Sequence, residues 1–212
     1  MVVEPSLKED ILKNVKIDKD KIIYIPTGHD SKFWRENKEK ENMVLTVASA
    51  DNIKRVKIKG LETFVKSAEK FKEIEFVIVG IRGKAKEYLQ EISPGNVKLV
   101  EFLQKEELLS FYQKAKVYCQ LSISEGLPGV LCEAMLCECI PVGTNIKSIK
   151  SVMGNIGFYV DYGNVESTVD GIQKALNTQG NIEKKGRERI IKNFPMRRRE
   201  CEIKKILFEM KK

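Results

Sequence analysis

The sequence predicts an α/β protein in which a mostly parallel β-sheet carries helices on both faces. Short runs of β-branched and apolar residues, at positions 44–48 and 76–79, have the length and character of buried strands. Between these runs, apolar residues recur at helical spacing from position 61 to 71, which indicates an amphipathic helix. Strands that alternate with helices in this way form βαβ units with right-handed crossovers. The expected fold is therefore a Rossmann-like parallel sheet flanked by helices.

The same alternation continues along the chain. Strands are predicted at residues 44–48, 76–79, 97–100, 117–121, 140–142 and 158–160. Helices are predicted near residues 7–15, 61–71, 108–115, 130–136 and 165–176, and in two pieces beyond residue 181 that are separated at Phe194 and Pro195. In parallel sheets of this kind, ligands bind beyond the carboxyl ends of the strands. The residues that directly follow each strand are therefore the first candidates for a functional site.

Charge divides the chain into a nearly neutral body and a basic tail. The expected segments are residues 1–20, a sheet-forming body at 21–180, and basic helices at 181–212. The tail contains 12 Lys and Arg against 5 Glu, whereas residues 1–180 contain 26 Lys and Arg against 25 acidic residues. An apolar stripe on the last helix is formed by Ile203, Ile206, Leu207 and Met210. A solvated helix face is the simpler interpretation of the charge, and docking to an anionic surface is the alternative.

Composition disfavours several classes of protein. No run of 18 or more apolar residues occurs, so no membrane-spanning helix is expected. No secretory signal pattern opens the chain and the cysteines are odd in number, so reduced thiols and a cytoplasmic location are expected. A metal site is disfavoured because the sequence has no Cys-x-x-Cys pair and only one histidine, His29. The cysteines are Cys119, Cys132, Cys137, Cys139 and Cys201.

The strongest local signal is the segment 124–135, which has the pattern of a strand end, a glycine-rich turn and a helix start. Pro128 is suited to the first turn of a helix, and glycines at 126 and 129 allow the backbone to approach a ligand closely. The free N–H groups of such a helix start favour an anion such as a diphosphate. Glu125 and Glu133 could then flank one ligand and accept hydrogen bonds from sugar hydroxyls. The alternative is that Glu125 is a solvated loop acid and Glu133 a helix surface acid.

Further motifs accompany the two glutamates. They lie at residues 25–30, 59–60, 76–80, 96–102, 106–108, 141–144 and 157–160. With these motifs, nearly the whole sequence resembles the C-terminal, donor-binding domain of retaining GT-B glycosyltransferases of the glycosyl transferases group 1 family, which carries an E-x7-E motif. The resemblance implies that the chain is one half of a GT-B fold and binds a nucleotide-diphosphate sugar, with UDP or GDP as the nucleotide.

The resemblance also implies a role for individual residues. Glu133 would bind the ribose hydroxyls, Glu125 would bind the donor sugar, and Lys59 would neutralise the diphosphate as it leaves. The backbone at Phe102 and Leu103 would hold the base, and the turn before the helix would offer backbone N–H groups. The implied catalytic residues are Glu125 and Lys59. The implied donor-binding residues are Glu133, Gly126, Leu127, Pro128, Gly129, Val130, Phe102, Leu103, Arg55 and Gly28. No metal ion and no cofactor are implied.

Some positions depart from the family pattern. Ala48 and Ser49 stand where the family usually has a Gly-Arg pair, so Arg55 is included as the substitute for that arginine. Glu101 and Glu138 stand where a glycine and another small residue are common. His29 replaces an apolar residue and is interpreted as a turn residue supported by the neighbouring aspartate.

The resemblance covers one of the family's two β/α domains, so a missing N-terminal domain is expected as a partner. Residues 1–20 would be a remnant that links to it, and the acceptor, a sugar or a lipid-linked molecule, would bind there. The basic tail would dock on that domain or on an anionic membrane at the inner membrane face. Alone, the 212 residues would bind donor without efficient transfer.

Three other functions are weighed against this one. The chain could be a non-catalytic nucleotide-sugar-binding module, which only the surrounding reading frame would distinguish. A dinucleotide-dependent oxidoreductase is disfavoured because residues 80–83 do not continue into a G-x-G-x-x-G motif. Nucleic-acid binding is disfavoured because no aromatic residues are interleaved with the arginines at 197–199.

Overall fold

The computed structural model describes residues 1–36 and 39–209, and within them it contains one parallel sheet. The strand order is β3-β2-β1-β4-β5-β6, and every neighbouring pair is parallel. The strands are β1 Glu41–Ala50, β2 Glu75–Ile81, β3 Val97–Val100, β4 Ala115–Gln120, β5 Ile140–Thr144 and β6 Phe158–Val160. The predicted Rossmann-like parallel sheet is confirmed.

The helices of the described residues include three that the sequence pattern did not indicate. In chain order they are α1 Pro5–Asn14, α2 Ile53–Ile58, α3 Leu61–Ala68, α4 Gly83–Ile92, α5 Lys105–Lys114, α6 Gly129–Leu136, α7 Lys147–Met153, α8 Val165–Leu176, α9 Ile182–Asn193 and α10 Met196–Glu209. The unpredicted ones are α2, α4 and α7. Helix α3 is shorter than predicted, because Phe71 lies in the turn after it and stays buried there.

The strand register sorts side chains into two cores, one on each face of the sheet. Val44 aligns with Phe76 on one side and Val117 on the other, and all three belong to the first core. The next residue of β1, Leu45, aligns with Tyr118 and belongs to the second core. Because successive residues of a strand point to opposite faces, helices must cover both faces of the sheet. The near-continuous apolar runs in the sequence follow from this double burial.

The carboxyl ends of β1 and β4 form the point where the strand order reverses, which is where open α/β sheets bind ligands. Beyond these ends, the chain after β1 packs directly on the chain after β4. Gly60 has φ +66°, and a Cβ placed on it would lie 2.2 Å from the carbonyl oxygen of Leu121. The Ile123 N–H also donates to the Ile58 carbonyl at 3.0 Å. This close approach fixes the relative position of the two loops.

The first residues of the chain pack as a small unit on the body. Val2 exchanges hydrogen bonds with the backbone of Ile23 and Ile25, and all the Ile25 surface is buried. Val3 lies near Gly126, with its Cγ2 3.9 Å from the position of a Cβ there. The amino-terminal segment therefore reaches the glycine-rich turn that follows β4.

The basic tail consists of two helices broken at Phe194 and Pro195, as predicted, although positions 210–212, including Met210 of the apolar stripe, lie outside the described residues. Three of its arginines donate to backbone carbonyls rather than pointing only into solvent. Arg187 donates to Ser31, Trp34 and Leu136, Arg189 to Ser151 and Val152, and Arg199 to Ile25 and Pro26. Part of the charge of the tail therefore holds the tail to the body.

Long, apolar helices do not occur in the part of the chain that the structure describes, where no helix meets the length and hydropathy needed to cross a membrane.

We expect Gly60→Ala to destabilise the protein more than Gly163→Ala. Gly163 also has positive φ, at +74°, but a Cβ there would meet nothing within 4 Å. The control should lose about 1–2 kcal/mol for the left-handed backbone alone, whereas Gly60→Ala should lose about 3–5 kcal/mol because the backbone must also shift. Urea unfolding of both variants measures the difference. Equal losses would contradict a close approach of the two loops.

Candidate functional site

Lys59 and Glu125 form an ion pair where the loops after β1 and β4 meet. Lys59 Nζ donates to Glu125 Oε1 at 2.6 Å, and the two side chains are 20% and 13% exposed. The same carboxylate oxygen accepts from Ser122 Oγ at 2.6 Å and from Gln120 Nε2 at 3.0 Å. Within the described residues, no hydrogen bond reaches Oε2 of Glu125. Glu125 is therefore an acid anchored through one of its oxygens, and not a freely solvated loop acid.

Glu133 lies on α6, about one turn after its start at Gly129, and is largely withdrawn from water. Burial raises the pKa of Glu133 to about 7, although a hydrogen bond from Tyr112 and the positive charge of Lys105 act in the opposite direction. The Tyr112 hydroxyl donates to Glu133 Oε2 at 3.3 Å. Near neutral pH this carboxyl group therefore changes its charge readily, which an ordinary surface glutamate does not.

Two buried tyrosines connect the surroundings of the two glutamates. The Tyr112 and Tyr118 rings have centroids 5.9 Å apart, and the Tyr118 hydroxyl donates to Gln120 Oε1 at 3.1 Å. Burial raises the pKa of both tyrosines, so both are neutral hydrogen-bond donors. Hydrogen bonds and one ring contact thus connect Glu133 through the two tyrosines to Gln120 and Glu125.

Glu133 lines two adjoining cavities. One, of about 470 Å³, is lined also by Trp34, Phe102 and Leu103, and the Phe102 side chain at its edge is 77% exposed. The other, of about 340 Å³, also includes Gly28 and His29. The structure therefore brings together Glu133 and the residues expected to hold a base.

The start of α6 is open to an anion. Pro128 is the N-cap, the helix begins at Gly129, and no side chain caps it. The side chains of Leu127 and Val130 pack against the second core, so these residues can offer a ligand only their backbone. Gly126 is exposed in the turn before the helix. An uncapped helix start with free N–H groups is a site that favours phosphate.

The structure gives the surroundings of two further residues, Arg55 and His29, that the sequence singled out. Arg55 is exposed on α2, and within residues 1–36 and 39–209 its side chain has no hydrogen bond or ion pair, so its role as the substitute arginine stays a prediction. His29 lies immediately before a turn, in an isolated parallel bridge to Pro195, and Asp30 opens that turn by accepting from the N–H groups of Lys32 and Phe33. However, His29 is only 8% exposed, and its Nε2 is buried without a partner in the described structure.

Sequence reasoning missed several residues of the site. Gln120 is the last residue of β4 and Ser122 comes just after it, so the rule that ligands bind beyond strand ends could have found them. Tyr112 and Lys105 lie on a neighbouring helix, and nothing in the sequence relates them to Glu133.

The described residues contain neither a disulfide nor a cluster of metal-ligating side chains. All five cysteines are unbridged, four of them are buried, and burial raises the pKa of the buried thiols. Among the residues that the structure describes, no group of three or more His, Cys, Asp or Glu could hold a metal ion.

Solved structures match the chain over almost its full length. Sucrose-phosphate synthase from Thermosynechococcus elongatus superposes with a TM-score of 0.84 at 21% identity, covering 99% of this chain and 57% of that protein. A glycosyltransferase from Rickettsia africae ESF-5 gives a TM-score of 0.81 at 18% identity, covering 99% and 62%. Anabaena Alr3699/HepE, solved in complex with UDP and glucose, gives 0.83 at 13% identity, covering 97% and 61%. At such identities the likeness establishes the fold, which corresponds to one Rossmann-like half of a GT-B glycosyltransferase.

The chain covers only part of each of these solved structures. It spans about 60% of the length of the three solved structures. No curated protein sequence matches it. A sequence profile of the family described as Glycosyl transferases group 1 matches residues 29–196. Because the match includes most of the chain, this protein belongs to the glycosyl transferases group 1 family.

Proposed function

We propose that the chain binds a nucleotide-diphosphate sugar and provides the donor side of a retaining, metal-independent glycosyl transfer. The observation that carries the proposal is the convergence of the Lys59–Glu125 pair, the uncapped start of α6 and Glu133 at the switch point of the sheet. A cation, a set of free N–H groups and two hydroxyl-binding acids are the groups that such a donor needs.

Each glutamate has an acceptor to offer a hydroxyl-rich ligand. Oε2 of Glu125 is left open by the three donors that converge on Oε1, and it is proposed to accept from the transferred sugar. Glu133 would accept from the ribose hydroxyls. Because a carboxylate accepts these bonds better than a carboxylic acid, donor binding should favour the ionised form of Glu133.

Positive potential for the diphosphate would come from Lys59 and the start of α6. Lys59 Nζ lies 2.6 Å from Glu125 Oε1, so the ion pair already positions the ammonium group before the donor binds. As the sugar–phosphate bond breaks, negative charge grows on the nucleoside diphosphate. Fixed charges and dipoles directed at this growing charge lower the barrier to its departure.

The nucleoside would occupy the cavity of about 470 Å³ between Phe102, Leu103 and Glu133. Backbone groups at positions 102 and 103 would bind the base edge. Alr3699/HepE, a protein of the same fold, was solved with UDP and glucose, which makes UDP sugars the first donors to test and GDP sugars the second.

The acceptor side is proposed to come from a second domain that faces this site, reached through residues 1–20. The chain spans about 60% of its structural neighbours, which supports a larger catalytic unit. The acceptor would be a sugar or a lipid-linked molecule. Contact of the basic tail with an anionic membrane stays a prediction.

Calorimetry should detect binding of at least one among the UDP, GDP and ADP sugars. Glu133→Gln should weaken that binding by about 1–3 kcal/mol, because a charged hydrogen-bond partner is lost. Glu87→Gln, on an exposed position of α4, is the matched control and should bind like the wild type. No heat with any donor at millimolar concentration would contradict the proposed function.

The same Glu133→Gln variant should be more stable than the wild type, increasingly so at higher pH. In the wild type, the pKa of Glu133 in the folded state is about 7, above the ordinary value of 4.5. The stability that comes from protonating Glu133 is therefore complete below about pH 4.5 and is lost as the pH rises through about 7. Glutamine cannot lose that contribution. Urea unfolding near pH 5 and near pH 8 should therefore show a gain for Glu133→Gln mainly near pH 8. A gain that is equal at both pH values would show that burial does not disfavour the carboxylate.

We further expect the 212 residues to bind donor but not to transfer sugar efficiently until a facing acceptor domain is supplied. Positioning an acceptor next to the anomeric carbon accounts for about 7–11 kcal/mol of the barrier in favourable cases. The assay compares the chain alone with the chain joined to an upstream β/α domain. Efficient transfer by the chain alone would contradict the need for that domain. Persistent binding with no transfer after joining would favour a non-catalytic nucleotide-sugar-binding module.

A further inference from the structure

His29 is the only histidine of the chain, and the fold leaves it without a hydrogen-bond partner at one nitrogen. The residue is 8% exposed, and Nε2 is buried with no partner among the described residues. Burial lowers the pKa of His29 to about 4, so the ring is neutral near pH 7. A buried polar atom without a partner costs stability, and folded proteins contain few of them. An apolar side chain at this position would fill the space without leaving a polar atom unpaired.

The segment that carries His29 is held from two directions. The His29 N–H donates to the Phe194 carbonyl at 2.9 Å in a parallel bridge to Pro195, and the Asp30 side chain closes the turn that follows. A Cβ on Gly28 would lie 2.6 Å from Cα of Met196, which leaves this segment no room to move toward α10. The position of the imidazole is therefore set by the backbone and does not result from a loose surface loop.

The imidazole faces the first residue of α6. Its Cε1 and Nε2 atoms lie 3.3 Å and 4.0 Å from the position that a Cβ on Gly129 would take. Gly129 opens the helix whose start has no side-chain cap. His29 also lines the cavity of about 340 Å³, in which the charged neighbours are Asp30, Lys105 and Glu133. His29 thus lies beside the start of α6 and lines the same cavity as Glu133.

We propose that His29 is a donor-binding residue, whose Nε2–H donates a hydrogen bond to a phosphate oxygen of the nucleotide-diphosphate sugar held at the start of α6. This inference rests on the proposed function, and it assigns to the site a residue that the family resemblance does not supply. The torsion that turns a histidine ring has a broad minimum, so a modest rotation brings the N–H toward a ligand at little cost. A neutral ring has one N–H donor to give, and its bond to an anion is of the stronger, charge-assisted kind.

Nuclear magnetic resonance can test the contact directly, because a single histidine gives a single set of imidazole signals. Saturating UDP should change the chemical shift of the His29 ring nitrogen and raise the pKa of His29, since a nearby phosphate favours the imidazolium. Uridine, which has the base and the ribose but no phosphate, should leave the signal nearly unchanged. A signal that does not respond to bound UDP, or that responds equally to uridine, overturns the assignment to phosphate.

Two substitutions separate binding from folding. His29→Leu removes the donor and fills the space, so it should keep or raise the unfolding temperature while weakening UDP affinity about 10-fold. His29→Gln retains an N–H donor and should stay within about threefold of the wild type. Uridine affinity should be the same in all three proteins. If the wild type binds UDP and His29→Leu binds it equally well, this inference fails and the proposed function stands. If the wild type binds no nucleotide, both fail.

Discussion

The close approach of the loops after β1 and β4 is the constraint on which the candidate site depends. Gly60 fits against Leu121 only because it has no side chain, and this contact brings Lys59 within 2.6 Å of Glu125. The two residues come from opposite sides of the point where the strand order reverses. Backbone packing therefore brings together the cation and the acid that are proposed to bind the donor.

Two polar groups of the site are expected to reduce the stability of the fold in the absence of a ligand. The carboxylate of Glu133 and the Nε2 atom of His29 are both withdrawn from water without full compensation by the described residues. Oxygen atoms and N–H groups left open in this way are what a polyhydroxylated, anionic ligand could satisfy. Sites of this kind commonly exchange some stability for function, because the groups are kept ready for a partner that is not part of the chain.

The fold was largely predictable, whereas the contacts of the site were only partly so. Buried runs such as 44–48 and the turn before α6 are local patterns, and local patterns reveal strands and helix starts. Helix α4 was missed because only Ala85 and Leu89 are buried on it, which gives too little periodicity to detect. The grouping of Lys59 with Glu125 joins residues 66 positions apart, and the backbone of His29 is held by a hydrogen bond to Phe194 near the opposite end of the chain. No single-sequence pattern carries such information.

The carbonyl contacts of the tail have a consequence for how its charge is to be understood. Arg187 donates to three carbonyl oxygens and Arg189 to two, so their planar guanidinium groups connect α9 to the ends of other segments. Lysine carries the same charge but lacks this geometry. A count that treats lysine and arginine alike would therefore overlook what holds α9 in place. Net charge therefore overstates how much of the tail is free to attract a partner. The shape of the guanidinium group, and not its charge alone, ties the end of the chain to its beginning.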